Sequence, residues 1–287
     1  MIQLNELAQQ RDDMNTIVTL TSIFESLASI HIAQIKNQVQ QSQRYFDELW
    51  RIYTQIKVNS LFRFGRDAQE KVIDKELLIA ITAEGGFSGD IDQKLIEWMV
   101  KEHDPAKQDI IVIGHHGAIQ LIQAGVQFKK YFKLPGKDQN INVLPLIKYV
   151  RGYRNTTVYY QSYVSLMVQD VKKIELQTAV QQAGGKNQSK DIENVISEFN
   201  YIFEPSTIAV VAHLERTMIG ITLSQVILDS KLAQYASRFR SMSVAQDKAV
   251  DSENSLKLSY NRAKRNLSDE RLKEIINGLK KLTAAYE

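Results

Sequence analysis

The sequence predicts an α/β protein in which two long terminal helices pair antiparallel around an inserted domain of strands and helices. Three observations carry that prediction. The four prolines, Pro105, Pro135, Pro145 and Pro205, all lie in the middle of the 287 residues. Both ends repeat apolar residues at three- and four-residue steps. The middle alternates short β-branched runs with a helical pattern.

Proline costs about 3 kcal/mol in a helix interior, so the proline-free ends are where long helices can form. At the N-terminal end Ile17, Leu20, Phe24, Leu27, His31, Ile35, Val39, Ser42, Phe46, Leu49, Tyr53 and Ile56 trace an expected seam, and we assign residues 1–60 to this helix. At the other end the steps run from Val211 through Leu214, Met218, Ile221, Gln225, Leu228, Leu232, Tyr235, Phe239 and Met242. They continue through Gln246, Ala249, Glu253, Leu256, Tyr260 and Ala263 to Leu267, a 3.5-residue period suited to a coiled coil. Neither glycine nor proline interrupts the chain between Gly220 and Gly278. At about 1.5 Å per residue such a helix would be on the order of 100 Å long, so a partner must cover it. The other terminal segment is the simplest partner, and residues 206–287 form the second arm.

Residues 75–205 form the inserted piece. LLIAIT (77–82) and DIIVIG (109–114) suit buried strands, and IDQKLIEWMVKEH (91–103) between them has helical spacing, an order that favours partly parallel pairing. VLPLI (143–147), TVYYQSYVSLMV (157–168) and KKIELQTAV (172–180) are expected to add strands, and polar QQAGGKNQSKDIEN (181–194) reads as a surface hairpin loop or linker. The expected unit is small and Rossmann-like.

Composition narrows the function classes. With 44% hydrophobic and 24% charged residues the chain is of ordinary globular type, and a net charge of +3 is too small to argue for nucleic acid. The absence of cysteine removes disulfides and thiolate metal sites. The N-terminal residues lack the pattern of a secretory signal or transit peptide, and no run of 18 uninterrupted apolar residues suggests a membrane span.

Three features invite a site. TAEGGFSGD follows the first strand with Gly85, Gly86 and Gly89, but no Lys-Ser/Thr pair follows the last glycine and the spacing is not G-x-G-x-x-G. Glu84 and Asp90 would also repel phosphate, so the glycines read as a structural corner. His115 and His116 resemble a metal or acid/base pair, yet adjacent residues leaving a strand point to opposite sides and no acidic partner is near in sequence. A turn after a strand is the simpler reading. Between Leu256 and Lys281 stand eight cations, Lys257, Arg262, Lys264, Arg265, Arg271, Lys273, Lys280 and Lys281, against Asp269, Glu270 and Glu274, a net +5. That basic tip is either a solvated face or a socket contact with an acidic partner.

These motifs, in this order, resemble the gamma subunit of F-type ATP synthases. Ala83-Glu84-Gly85-Gly86-Phe87-Ser88-Gly89 is similar to the family's S-D-R-G-L-C-G turn, and Gly114-His115-His116-Gly117 to its G-x-K-G turn. Phe203-Glu204-Pro205-Ser206 matches F-E-P-S unchanged. Tyr260-Asn261-Arg262-Ala263-Lys264-Arg265, through Glu274-Ile275 to Gly278, is similar to Y-N-R-A-R-Q…E-I-x-x-G. A fainter match places I-T-K-A-M-K/E-M-V-A on residues 20–28. The chain departs from the family at Ala233 and Gln234 (a Ser-Glu pair), at Arg265 (a Gln) and at Asp269 (a Thr), which suggests a divergent branch.

The resemblance implies a central-stalk rotor that catalyses nothing and holds no cofactor or metal. It implies as partners the alpha and beta subunits of a catalytic head, an epsilon-type subunit and a membrane c-ring. The expected location is peripheral, at the cytoplasmic face of a bacterial inner membrane. Arg262, Lys264, Arg265, Asp269 and Phe24 would contact the catalytic beta subunits; Glu84, Gly85, Gly86 and Gly89 would form a corner of the foot domain. Two alternatives stand beside it: a similar rotor in a repurposed or sodium-driven machine, and an α/β ligand-binding domain with a coiled-coil dimerisation arm.

Overall fold

The computed structural model describes residues 2–56, 72–86, 88–136, 141–185 and 202–283. The elements run α1 (Ile2–Gln55), β1 (Ile73–Ile81), α2 (Ile91–Glu102), β2 (Gln108–Ile113), α3 (His115–Gln123), β3 (Lys130–Phe132), α4 (Leu144–Gly152), β4 (Tyr153–Tyr163), β5 (Gln169–Glu175), α5 (Leu176–Gly185) and α6 (Thr207–Thr283). They divide into a unit of residues 28–238 and a unit formed by 1–27 with 239–287.

The larger unit is built on a five-stranded sheet in the order β3-β2-β1-β4-β5. β1 pairs in parallel with both β2 and β4, β2 pairs in parallel with β3, and only β5 runs antiparallel, against β4. The period-2 side-chain alternation divides β1 between two cores. Leu77, Ile79 and Ile81 face a core shared with Val150 of α4, Leu176 and Val180 of α5, and Met218, Ile219, Leu223, Val226 and Ile227 of α6. Leu78 and Ala80 face Leu95, Ile96 and Met99 of α2 and Leu121 of α3. Helices on both faces are what near-continuous apolar parallel strands require. The long helix α6 is thus one wall of the domain.

One expected strand is helical and another is helical over its second half. VLPLI opens α4, with Pro145 in the first turn, where a missing N–H costs nothing. The helix buries Leu146, Ile147 and Val150, a one-sided spacing a strand would not give. KKIELQTAV splits at Glu175: β5 ends there, and Leu176, Ala179 and Val180 bury one face of α5. The strand expected over 157–168 is β4 to Tyr163, after which Val164 to Val168 make the hairpin turn. His115 and His116 begin α3 and are not in a simple turn. Of the loop expected over 181–194, residues 181–185 are the end of α5; 186–194 lie outside the described residues, as does Phe87.

Within the larger unit α1 and α6 run antiparallel. His31 stacks on Tyr235 at 4.6 Å, Gln225 donates to Gln43 at 3.2 Å, and the Tyr53 hydroxyl donates to Glu215 at 3.2 Å. Ile35, fully buried, packs with Leu228 and Leu232. In the smaller unit the Arg11 guanidinium lies 5.2 Å from the centre of the Tyr260 ring. The α6 seam follows its predicted positions to the end: Met242 and Ala249 are buried, and Gln246, Glu253, Leu256, Tyr260, Ala263 and Leu267 are half-buried.

The α1 seam holds from Ile35 to Ile56 but shifts by one residue before that. Ile17, Leu20, Phe24 and Leu27 are 44%, 48%, 39% and 46% exposed, whereas Thr21 and Ala28 are 7% and 2% exposed. The partly buried positions run Met14, Val18, Thr21, Glu25, Ala28, Ile32, Ile35, an unbroken alternation of three- and four-residue steps. The expected line jumped four residues three times in succession, from Leu27 to Val39, which no 3.5-residue seam does.

Candidate functional site

In an open α/β sheet, ligands bind outside the carboxyl ends of the strands where the strand order reverses. Here that point lies between β1 and β4, after Ile81 and around Gln161. The glycine turn and the His-His pair of the sequence both lie at this edge, so the crevice is the natural place to look for chemistry.

It is filled by the protein itself. Asp92, in the first turn of α2 and 2% exposed, points its carboxylate back at the end of β1. The Ala83 N–H donates to its two oxygens at 3.3 and 3.2 Å, His116 Nδ1 lies 3.0 Å from Oδ2, and Gln161 Nε2 donates to Oδ1 at 2.5 Å. A carboxylate therefore occupies the helix N-terminus where a phosphate would sit in a nucleotide-binding relative of this topology. Burial raises the Asp92 carboxyl above its ordinary pKa; the hydrogen bonds from His116 and Ala83 oppose that rise without cancelling it.

From Asp92 the network continues into α6. Gln161, fully buried, accepts from Ser230 Oγ and from Gln234 Nε2 at 3.3 Å, and Gln234 also donates to Ser230 at 3.1 Å. One turn on, Ser237 Oγ donates to the Ser88 carbonyl at 2.6 Å and Arg238 Nε to the Gly86 carbonyl at 3.3 Å. The glycine corner is fastened to α6 by its own carbonyls. Gly89 needs its glycine because its φ is +68°. Glu84 turns away from any anion site and accepts from the Leu134 N–H at 2.5 Å and the Tyr131 hydroxyl at 3.2 Å. Gly114, at φ +101°, lets the chain pass over Thr82, whose Oγ1 accepts from the Gly117 N–H at 2.9 Å.

Sequence reasoning found the corner but missed its partners. Asp92 sits 24 residues before His116, Gln161 reads only as a strand residue, Gln234 stands out only as a departure from the family pattern, and Ser230 lies off the expected seam. The signal available was polarity at positions whose spacing assigns them to a core. A separate groove of about 490 Å³ opens between α1, α4 and α6, lined largely by apolar side chains such as Ile147 and Ile221, with His213 and Arg216 among its walls. Among the described residues no cluster of His, Cys, Asp and Glu could hold a metal ion.

The residues expected at the tip and those expected at the corner belong to different units. Arg262, Lys264, Arg265 and Asp269 are exposed on α6 in the smaller unit, and Phe24 is on α1 in the same unit. Every described side chain from Ser268 to Leu279 is exposed. Lys280 and Lys281 lie beyond the described side chains.

The family model described as ATP synthase matches residues 3–282. The chain belongs to the ATP synthase gamma-chain family. It is 22% identical over 295 residues to the ATP synthase gamma chain of Rickettsia bellii, covering 97% of this chain and 99% of that one. It is 23% identical to the gamma chain of Alkaliphilus metalliredigens, covering 98% and 99%. Among solved structures, a chain of the Euglena gracilis mitochondrial ATP synthase, described as OSCP/F1/c-ring, shares its fold with a TM-score of 0.64. That match has 12% identity and covers 99% of this chain and 96% of the other. A Tetrahymena thermophila mitochondrial ATP synthase chain, from a central stalk and c-ring, matches at a TM-score of 0.55 and 13% identity over 79% of this chain and 99% of its own. The α/β domain between paired terminal helices is the gamma-chain fold.

Proposed function

We propose that this gamma-family chain is the central-stalk rotor of a rotary ATP synthase or ATPase and carries torque between a catalytic head and a membrane ring. The observation that carries the reading is the sheet's ligand crevice, filled by Asp92 and Gln161 and bound to Ser230 and Gln234 of α6. A fold that would elsewhere hold a nucleotide here holds a shaft. The chain is then a non-catalytic subunit of an enzyme complex. Its partners are the alpha and beta subunits of the head, an epsilon-type subunit and a c-ring, at the cytoplasmic face of a bacterial membrane.

The mechanism follows from stiffness and asymmetry. A paired helix resists twist because every turn of one helix is wedged by the other. The crevice network and the core shared by β1 and α6 lock the domain to the shaft, so a force on the domain turns α6 without slip. An asymmetric rod presents a different face to each of several equivalent partners, and turning it exchanges their states.

We assign contact with acidic segments of the catalytic beta subunits to Arg262, Lys264, Arg265 and Asp269; Phe24, further along the rod on α1, is assigned to contact the same subunits. Opposite charge steers such a contact more than it strengthens it. The test is the triple substitution R262E/K264E/R265E in the assembled complex. Torque in single-molecule rotation is expected to fall and ATP hydrolysis to uncouple from rotation; unchanged torque and assembly reject the assignment. Arg265 and Asp269, both departures from the family pattern, favour a second reading, a rotor in a repurposed machine. Reconstituted vesicles driven by ATP and assayed for pumping with different cations separate the two.

A further inference from the structure

We propose that Asp92 and His116 act as one proton-operated latch, which fastens the corner after β1 while the pair carries an extra proton and loosens it when that proton leaves. The latch lies inside the larger unit and does not depend on the rotor reading.

Three donors converge on the Asp92 carboxyl from three directions: the Ala83 N–H after β1, Gln161 Nε2 on β4 and His116 Nδ1 on α3. Two of them have fixed roles. A backbone N–H only donates, and the Gln161 carbonyl oxygen is already held by Ser230 and Gln234 of α6. His116 alone can either donate to Asp92 or accept from it. It is also the member that meets water, its side chain 30% exposed against 3% for Asp92. The proton therefore enters at the imidazole.

Charge decides what that proton does. Without it the pair is a buried carboxylate beside a neutral imidazole, a net negative charge. With it the pair is neutral overall, as imidazolium and carboxylate or as imidazole and carboxylic acid, and the two residues share one titration. Burial favours the neutral pair, the direction in which the Asp92 carboxyl is displaced from its ordinary value. Once the proton leaves, the uncompensated charge draws in water. Ala83 is tied to the pair at both ends, because its N–H donates to Asp92 and its carbonyl accepts from the His116 N–H at 3.0 Å. Hydrating the carboxylate thus releases the corner that Ser237 and Arg238 fasten to α6. In a rotor such a joint grows softer as pH rises.

No other charge near the crevice substitutes for His116. Glu84 is engaged by Leu134 and Tyr131, Asp90 pairs with Lys94 at 2.8 Å on the surface, and His115 on α3 and Asp170 on β5 are exposed. On α6, Lys231 donates to the Pro135 carbonyl at 2.7 Å and Arg238 to the Gly86 carbonyl, while Asp229 accepts from Ser162 and the Tyr163 N–H near Lys172. The charges of β1 and β2 lie at the opposite end of those strands. Among the described residues His116 is the one ionisable side chain that Asp92 touches.

The test uses the full-length chain from about pH 4 to pH 9. Carbon-13 NMR follows Asp92 Cγ and His116 Cε1, and amide exchange, corrected for its intrinsic pH dependence, follows the Ala83 N–H with Ile111 of β2 as the fully buried reference. Both carbons are expected to share one midpoint. Ala83 protection is expected to fall at least tenfold between about pH 5 and pH 8, the effect of a one-unit difference between closed and open pair. It should stay below the protection of Ile111 throughout, so that the corner opens without unfolding. D92N should make Ala83 protection independent of pH over this range. H116Q, which keeps a donor toward Asp92 but takes up no proton, should move the Asp92 midpoint to lower pH. Separate midpoints for the two carbons overturn the proposal, as does Ala83 protection that is flat in the wild type or equal to that of Ile111. The same pH dependence in D92N as in the wild type also overturns it. The wild-type readings decide the matter even where a variant fails to fold.

Discussion

Replacing Gln161 with Leu tests whether the filled crevice holds the domain to α6. The side chain is fully buried, and its amide joins three partners: it donates to Asp92 Oδ1 at 2.5 Å and accepts from Ser230 and from Gln234 at 3.3 Å. Leucine has nearly the same volume, so the loss is of hydrogen bonds and not of packing. Asp92 would lose a hydrogen bond to a buried charge, which is worth about 1.5–3 kcal/mol. Ser230 and Gln234 keep each other, so their share is smaller, about 0.5–1.5 kcal/mol. The expected destabilisation is about 2–4.5 kcal/mol, read as a lower urea midpoint at unchanged slope. Ser230→Ala, which removes two neutral hydrogen bonds, to Gln161 and from Gln234, should cost about 1–3 kcal/mol by the same assay. A Gln161→Leu loss below about 1 kcal/mol would refute the reasoning, because the crevice would then be held by its apolar walls alone.

Two further outcomes follow from the same region. Burial raises the Asp92 pKa, so the folded state holds the proton more tightly than the unfolded chain. Its contribution to stability is therefore present at low pH and lost as pH rises through the folded value. Asp92→Asn should remove that falling component, so that urea midpoints of variant and wild type diverge in favour of the variant as pH rises from about 4 toward 7. Convergence at neutral pH would contradict it. Gly114→Ala should cost about 3 kcal/mol or more by the same assay, since at φ +101° a Cβ would lie 2.0 Å from the Thr82 carbonyl oxygen. A stable Gly114→Ala chain would mean that the β1–α3 crossing can open.

Much of this fold was legible because its strongest signals are periodic. The α6 seam was readable to Leu267, because a 3.5-residue repeat over many turns has no competing explanation. The buried strands at 77–82 and 109–114 were readable because an all-apolar β-branched run has few other uses. VLPLI was misread because a run of five apolar residues fits a strand or a helix equally. Only the position of Pro145 in a first turn, visible once its neighbours are placed, distinguishes them. The crevice was half legible. That Glu84 and Gly89 make a corner and not a phosphate cradle followed from residue type. The Asp92–His116 contact joins residues on different elements, and no local pattern records it.

The misphased stretch of α1 separates the demands of folding from those of assembly. A half-exposed aliphatic side chain forgoes roughly 1 kcal/mol relative to a buried one. Rotating the first turns of α1 by one residue would place Ile17, Leu20, Phe24 and Leu27 in the seam and Thr21 and Ala28 outside it. As an isolated pair, the helices would gain by that rotation. It is prevented by the downstream half, where Ile35 and Phe46, both fully buried, fix the phase of a continuous helix. Small and polar residues in the seam at 21, 25 and 28 then let α1 lie in that phase while the bulky residues stay outside. The sequence thus accepts a weaker pair in order to keep an aliphatic face open. Such a face lowers the free energy of the system only when a second surface covers it, as the collar around a rotor would.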